Sequence, residues 1–329
     1  MPLDRFGREI DYLRISVIDN CNLRCVYCMP LDGLRFAAHE ELLTPAEIEV
    51  VGRALIATGF RRVRLTGGEP TLRADLLDIV GRLHSIPGMG EIAMTTNGLL
   101  LPKLAPDLKE AGLRRVNIHV DTLNPERIRQ IMRWGDLSRV WAGIVAAEAA
   151  GLTPIKLNTV VARGFNEEDV VALAELTLKR DWHVRFIEMM PLGVNDAAHV
   201  ARTRYVSNLE TRQRIEDALG PLTALASQNP ADESKNFHLE NARGVLGFIS
   251  PVSEPYCGTC NRMRLTADGR FHLCLLNDDE LDVKKAIRSG GGVDAVAEIL
   301  LKAVRGKPTG HALDRGISTE RRDMYQVGG

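Results

Sequence analysis

LRISVIDNCNLRCVYC, residues 13–28, joins a short strand to three closely spaced cysteines. Leu13–Val17 reads as the strand. Cys21, Cys25 and Cys28 follow in C-x3-C-x2-C spacing, so they occupy the loop at its end. That spacing lets three thiolates approach one inorganic core. Each iron of a [4Fe–4S] cluster takes one outside ligand, so three cysteines leave one iron open to a small molecule. Zinc with three thiolates and a fourth ligand is the competing metal, and three buried unpaired cysteines are the plainer alternative.

Outward from this loop, an α/β rhythm runs to about residue 190. Thr44-Pro45-Ala46-Glu47 carries a helix start, with a Thr cap, Pro at the first helical position and Glu three residues after the cap. Ile48, Val51 and Leu55 continue it at helical spacing. Further strands are expected at Arg62–Leu65, Glu91–Thr95, Arg115–Val120, Pro154–Thr159 and His183–Ile187, with helices around 75–84, 102–111, 138–150 and 167–180. Six strands separated by helices imply a parallel sheet whose loops are free to build a site. An incomplete (βα)6 barrel of the TIM type fits this length better than a complete eight-unit one; a doubly wound sheet remains the alternative.

After Met190 the rhythm weakens. Val194–Ala201 reads as a loop, 207–219 as a helix, and 220–236, with its Pro, Ser, Asn and charge, as a linker or surface loop. Short strands at Phe237–Leu239 and Leu246–Ile249 follow, and a helix over Val283–Val304 is interrupted at Gly290–Gly292. The expected division is a partial barrel over 1–220 and a small C-terminal α+β region over 221–329.

That second region holds the other three cysteines. Cys257, Cys260 and Cys274 form C-x2-C-x13-C, one ligand short of a closed four-ligand site. A structural zinc completed by His272 or His238 is one reading, and a Cys-Gly-Thr-Cys redox pair is another. Arg262 and Arg264 lie beside Cys260 and share one face of an extended segment. Paired guanidiniums suit phosphate oxygens. In the first half, Gly67-Gly68-Glu69-Pro70 follows the second strand, with glycines that permit a tight turn and a carboxylate able to accept from an amine.

Composition narrows the function classes. The 329 residues are 45% hydrophobic and 26% charged, as in an ordinary globular chain. With 42 Lys and Arg against 43 Asp and Glu, a broad nucleic-acid surface is not expected. The longest charge-free stretch, Ala218–Ala231, has 14 residues, too few and too polar for a membrane span. Met1-Pro2-Leu3-Asp4-Arg5 lacks the basic-then-apolar order of a secretion signal. Two compact cysteine trios without such a signal read as metal sites in a reducing compartment, the cytoplasm, rather than as a disulfide scaffold.

The first trio, with Tyr27 ahead of its last cysteine, resembles the signature of radical S-adenosylmethionine (radical SAM) enzymes. Cys28-Met29-Pro30, together with the second trio and Asn261-Arg262-Met263-Arg264-Leu265-Thr266-Ala267-Asp268-Gly269, is similar to the branch of that family that cyclises GTP in molybdenum cofactor biosynthesis. The similarity runs from Arg14 to Gly329. It implies two [4Fe–4S] clusters, one on each trio, with S-adenosylmethionine on the first and GTP facing the second. It further implies that Tyr27, Gly68, Glu69, Thr95, His119, Arg185 and Met189 hold S-adenosylmethionine, and that Arg14, Arg62, Arg64, Lys156, Arg262 and Arg264 hold GTP. Cys21, Cys25, Cys28 and Arg14 carry the catalytic step in this reading, and Gly328-Gly329 form a tail that reaches toward the site. His119 departs from the Ser usual at its position. The resemblance also implies a homodimer, an external electron donor, and cyclic pyranopterin monophosphate synthase as the next enzyme.

Overall fold

A computed structural model describes residues 1–227, 229–313 and 319–328. The chain runs β1 (Tyr12–Ser16), α1 (Pro45–Thr58), β2 (Arg62–Thr66), α2 (Leu76–His84), β3 (Ile92–Thr96), α3 (Leu101–Glu110), β4 (Arg115–His119), α4 (Pro125–Met132), α5 (Leu137–Ala149) and β5 (Lys156–Val161). It continues through α6 (Val170–Ala174), α7 (Leu176–Lys179), β6 (His183–Glu188), α8 (Asp196–Thr203), α9 (Asn208–Leu219), β7 (Leu222–Ala224), β8 (Lys235–Leu239) and β9 (Val245–Ile249). It ends with β10 (Arg262–Leu265), β11 (Arg270–His272), β12 (Glu280–Asp282), α10 (Lys284–Arg288), α11 (Gly292–Gly306) and α12 (Met324–Val327).

The strands from β1 to β6 pair in chain order and in parallel. Two strands from the second half extend this array: β10 pairs in parallel with β1, and β9 in parallel with β6. Beyond them β11 and β12 on one side, and β8 and β7 on the other, pair antiparallel. The described strands thus form one open sheet in the order β12-β11-β10-β1-β2-β3-β4-β5-β6-β9-β8-β7. It is an incomplete α/β barrel in which six strands alternate with helices.

Local chemistry explains the elements. The capping box of α1 is present: Thr44 Oγ1 accepts from Glu47 N at 3.2 Å, and Glu47 Oε2 accepts from Thr44 N at 2.8 Å. The helix then buries Ile48, Val51, Ala54 and Leu55 and packs against α11. Ile15, Leu65, Met94, Ile118, Leu157 and Phe186, one from each of β1 to β6, are fully buried in a single aliphatic core. Each such side chain contributes about 1.5–3 kcal/mol of burial free energy. Alternate residues on the same strands face the other way, and several are charged.

Three expectations are corrected. Residues 194–201 are not a loop: Asn195 Oδ1 accepts from Ala198 N at 3.1 Å and caps α8, whose alanines pack inward. The helix expected over 167–180 is broken into α6 and α7 around Glu175. The segment 220–236 is more than a linker, since it holds β7 and carries Glu233 into the barrel. In addition, α4 forms where no helix was expected, capped by Asn124 with Pro125 at its first position. No helix among the described residues is long and apolar enough to cross a membrane.

Candidate functional site

A cavity of about 300 Å³ opens at the C-terminal ends of the parallel strands, and all six cysteines line it. None is in a disulfide. The first trio follows β1 and is backed by the Gly67-Gly68 turn after β2. Gly68 N donates to Ile18 O at 2.7 Å and Glu69 N to Asn20 O at 2.8 Å. A Cβ on Gly68 would lie 2.2 Å from Asn20 O, so only glycine permits this approach. Glu69 is buried and accepts from Thr71 Oγ1 at 2.6 Å, Thr71 N at 3.1 Å, Thr96 Oγ1 at 2.7 Å and Asn97 N at 2.7 Å. It ties the turn to the end of β3. Burial still raises its carboxyl above the usual range.

Tyr27 crosses from the cysteine loop to β4. Its hydroxyl donates to Asp121 Oδ2 at 2.6 Å and lies 2.6 Å from His119 Nε2, which is itself 2.9 Å from Asp121 Oδ2. Burial alone would lower the His119 pKa, but the Asp121 carboxylate overrides it and raises it. Around the first trio, Arg24 donates to Cys21 O at 2.7 Å, but acids carry the larger influence on the thiols. Burial first, then Glu69, pushes the Cys21 thiol up to about 11. Burial pushes Cys28 up to about 12 and Cys25 well above its ordinary value.

The second trio sits in the opposite field. Arg8 donates to Cys257 O at 2.7 Å, to Thr309 O at 2.9 Å and to Pro308 O at 2.6 Å, while Asp4 neutralises it at 2.6 Å. Lys307, at the end of α11, lines the cavity and donates to Leu273 O at 2.9 Å. Arg262 stacks over the Tyr256 ring at 4.9 Å. Burial would raise the Cys260 thiol, but Lys307 and then Arg262 bring it down to about 7. Burial dominates at Cys274 and raises it.

Between the trios the barrel interior is cationic. Arg14, Arg64 and Arg264 stand side by side on β1, β2 and β10, in register. Arg185 lies on β6 and Lys156 at the start of β5. Glu233 reaches in from the 225–234 loop and accepts from Arg14 Nη2 and Arg262 Nη1, both at 2.6 Å. Burial would raise its carboxyl; Arg14, Arg262, Arg64 and Arg185 overcome that and hold it well below the usual range. One carboxylate does not satisfy this set. Arg14 Nε, Arg64 Nε, Arg185 Nε and Arg262 Nη2 are buried without a hydrogen-bond partner among the described residues. Desolvation, with Arg185 and Arg115 nearby, lowers Lys156 to about 7. Burial, with Arg14 nearby, lowers Arg264 to about 9.

Of the residues expected at a site, the cavity wall includes Arg14, Tyr27, Arg64, Gly68, Glu69, Thr95, His119, Met189, Arg262 and Arg264 beside the six cysteines. Arg62, Lys156 and Arg185 are not on it. Arg62 opens β2 at the far end of the barrel, where Asp11 holds it at 2.8 Å. Lys156 also starts its strand, opposite His183, and Arg185 is buried two residues further along, opposite Asn158. Gly328 follows α12 and accepts from Arg264 Nη1. It has φ +74°, and a Cβ there would lie 2.5 Å from Thr66 Cγ2. Gly329 lies outside the described residues. Thr96 and Asn97 touch Glu69 and were not anticipated from sequence; nor were Glu233 and Lys307. Neither His238, which bonds to Ala242 O at 2.8 Å, nor His272, which meets Glu280 at 3.2 Å, reaches the cavity to close a zinc site.

Residues 15–177 match the family model of the radical SAM superfamily, and residues 182–313 that of Molybdenum Cofactor Synthesis C. The chain is 48% identical over 326 residues to a GTP 3′,8-cyclase of Pelotomaculum thermopropionicum, covering 99% of each. The chain belongs to the GTP 3′,8-cyclase family. A second GTP 3′,8-cyclase, from Moorella thermoacetica, is 46% identical over 328 residues and 99% of each chain. Among solved structures, Streptococcus suis SuiB bound to S-adenosylmethionine superposes with a TM-score of 0.62 at 12% identity, over 88% of this chain and 68% of that one. SuiB bound to the precursor peptide SuiA gives a TM-score of 0.64 at 13% identity, over 98% and 77%. These two share the radical SAM fold with the GTP 3′,8-cyclase family.

The donor set that each trio presents is three unpaired thiols. Among the described residues no three His, Cys, Asp or Glu side chains converge as a one-ion site. A cluster has no such requirement, because its thiolates bind different irons. The cavity-wall histidines are engaged elsewhere, His311 with Pro251 O at 2.8 Å and His119 with Asp121 at 2.9 Å.

Proposed function

We propose that this protein is a GTP 3′,8-cyclase, converting GTP to (8S)-3′,8-cyclo-7,8-dihydroguanosine 5′-triphosphate with S-adenosylmethionine and a reductant, in molybdenum cofactor biosynthesis. The observation that carries this reading is one cavity walled by two cysteine trios and a buried surplus of cations. In this proposal Cys21, Cys25 and Cys28 hold one [4Fe–4S] cluster, and Cys257, Cys260 and Cys274 hold the other. The same reading divides the roles at about residue 220, the barrel carrying the first cluster and the remainder the second cluster and the tail.

Held by Cys21, Cys25 and Cys28 and loaded with S-adenosylmethionine, a cluster would supply radical chemistry at C3′ of GTP, with an external reductant providing the electrons both for that start and for reducing the radical left once C3′ is bonded to C8. The chain's own residues bind and orient. Glu69, fixed by four hydrogen bonds, presents a carboxylate edge to the amine of S-adenosylmethionine, while Tyr27, Thr95, His119 and Met189 shape its pocket. Arg185 belongs to the same group by resemblance, although its position among the interior cations suits an anion equally. Arg14, Arg64, Lys156, Arg262 and Arg264 meet the triphosphate. Its about four negative charges would be very costly to bury unpaired, and the unpartnered guanidinium donors need acceptors. Mutual compensation of these two deficits is what the barrel interior supplies. Arg62 belongs to this group by resemblance alone, since Asp11 holds it at the far end of the barrel. Gly328, held by Arg264, brings the tail to the phosphate side.

Anaerobic turnover tests the reading. Reconstituted protein given GTP, S-adenosylmethionine and dithionite is expected to release the cyclic nucleotide and 5′-deoxyadenosine together. 5′-Deoxyadenosine formed without any cyclic nucleotide, or formation of product on a peptide in the absence of GTP, would overturn it.

A further inference from the structure

Two buried cations grip the carbonyl groups around the second trio, and they differ in one respect. Arg8 holds Cys257 O and the 308–309 backbone, and Asp4 balances its charge within the same segment. Lys307 holds Leu273 O, next to Cys274, and no carboxylate pairs with it among the described residues. Lys307 is only 2% exposed. A buried ammonium with a carbonyl partner is costly to desolvate unless an anion lies nearby. Among the described residues, the neighbours that can become anionic and feel this charge are cysteines. Cys260 and Cys274 both feel the Lys307 charge, and Gly310 packs so closely on Cys257 that a Cβ there would lie 3.3 Å from its Sγ. The 307–310 segment is therefore a fitted wall of the second trio rather than a surface loop.

We propose that Lys307 is an electrostatic positioning residue whose buried ammonium, without a carboxylate partner among the described residues, is the counter-charge of the cluster held by Cys257, Cys260 and Cys274, and that it raises that cluster's reduction potential. The inference rests on the second trio holding a cluster. Three thiolates leave such a cluster anionic, and more so once it accepts an electron. A fixed cation favours the reduced form, and net charge and hydrogen bonding are among the levers that set cluster potentials. Arg8, already neutralised, supplies shape without comparable charge. The first trio differs in balance: Arg24 holds Cys21 O at 2.7 Å, but at Cys21 the stronger influence of Glu69 outweighs it, and the leading charge at Cys25 is Asp121.

Potentiometric titration of the reconstituted full chain, followed by electron paramagnetic resonance, tests this. The two cluster signals are told apart by adding S-adenosylmethionine, which perturbs the first. Lys307→Met is expected to shift the midpoint of the second cluster downward and leave the first unmoved, while Lys307→Arg stays near the parent value. Loss of the second cluster in Lys307→Met with retention in Lys307→Arg would also support the counter-charge role. An unshifted second midpoint in Lys307→Met, or equal cluster loss in both variants, would overturn it. So would a selective loss of GTP affinity without a potential shift, which would make Lys307 a phosphate ligand instead. If the unsubstituted protein itself carries no second cluster signal, the underlying assignment of the trio fails, and that result is separate from any behaviour of the variants.

Discussion

The two cysteine trios face the same chamber through opposite electrostatics. Around Cys21, Cys25 and Cys28 the acids Glu69, Asp121 and Asp323 outweigh the one nearby cation, Arg24, and with burial they push the thiols up. Around Cys260 the neighbours are Lys307 and Arg262, and the thiol falls to about 7 despite its burial. The contrast matches the two small molecules of the proposed reaction. S-adenosylmethionine brings a sulfonium cation and an amine to the acidic side, and GTP brings a polyanion to the basic side. A near-neutral chain thus holds two strongly polarised half-sites, which its net charge conceals.

The comparison breaks most completely at the cysteines. Cys25→Ala is expected to abolish both cleavage of S-adenosylmethionine and cyclisation. Cys260→Ala is expected to abolish cyclisation alone while S-adenosylmethionine still binds. Parallel assays of 5′-deoxyadenosine and cyclic nucleotide check this, and identical losses in the two variants would remove the distinction between the half-sites.

The cation layer comes next. Arg64→Ala and Lys156→Ala should each weaken GTP binding by roughly 10–100-fold, the worth of a charge-assisted hydrogen bond. S-adenosylmethionine affinity should stay unchanged, and calorimetry with both ligands reads the difference. Lys156 adds a pH signature. Free Lys156 loses its proton near pH 7, and bound phosphate favours the protonated form. GTP affinity should therefore be flat below pH 7 and fall above it, by up to about tenfold per unit. Proton uptake on binding at pH 8, seen by calorimetry in buffers of different ionisation enthalpy, should disappear in Lys156→Met.

Glu233 sharpens the comparison from the other direction, because it is an internal anion already resting on Arg14 and Arg262. GTP must compete with it or share its partners. Glu233→Gln should tighten GTP binding a few-fold and lower the melting temperature of the ligand-free chain, a loss that GTP restores. Its carboxyl pKa is depressed on folding, so the stabilisation is present above the ordinary glutamate value and vanishes only as pH falls through the folded one. The gap in melting temperature between parent and variant should therefore close in acid. The smallest effect is expected at His119. Replacement by Gln keeps a polar group near Tyr27 but removes a titrating one, and should change S-adenosylmethionine affinity only a few-fold.

Much of this was legible in the sequence for definite reasons. The strands β1 to β6 announce themselves as short aliphatic runs between helices, and the Thr44 cap marks α1. The trios and the Gly67-Gly68-Glu69 turn are local, so spacing reveals them. What sequence hid was nonlocal. β9 and β10 join opposite sides of the array by pairing with β6 and β1, partners far away in the chain. Glu233 sat in a stretch whose Pro, Ser and Asn read as linker, and Lys307 looked like any lysine closing a helix. Arg14, Arg64 and Arg264 are visible as residues, but that they form one row follows only from strand register. α8 was missed because a short alanine-rich segment beside Gly and Asn carries little apolar periodicity.

The claim that two oppositely charged half-sites share one chamber is tested most directly by electron paramagnetic resonance on two single-cluster proteins. One carries Cys257, Cys260 and Cys274 each replaced by Ala, and the other has the same change at Cys21, Cys25 and Cys28. The account predicts that S-adenosylmethionine perturbs the signal only where the first trio remains, and GTP only where the second remains. A GTP response from the first trio, or a second trio that binds zinc and gives no signal, would contradict it.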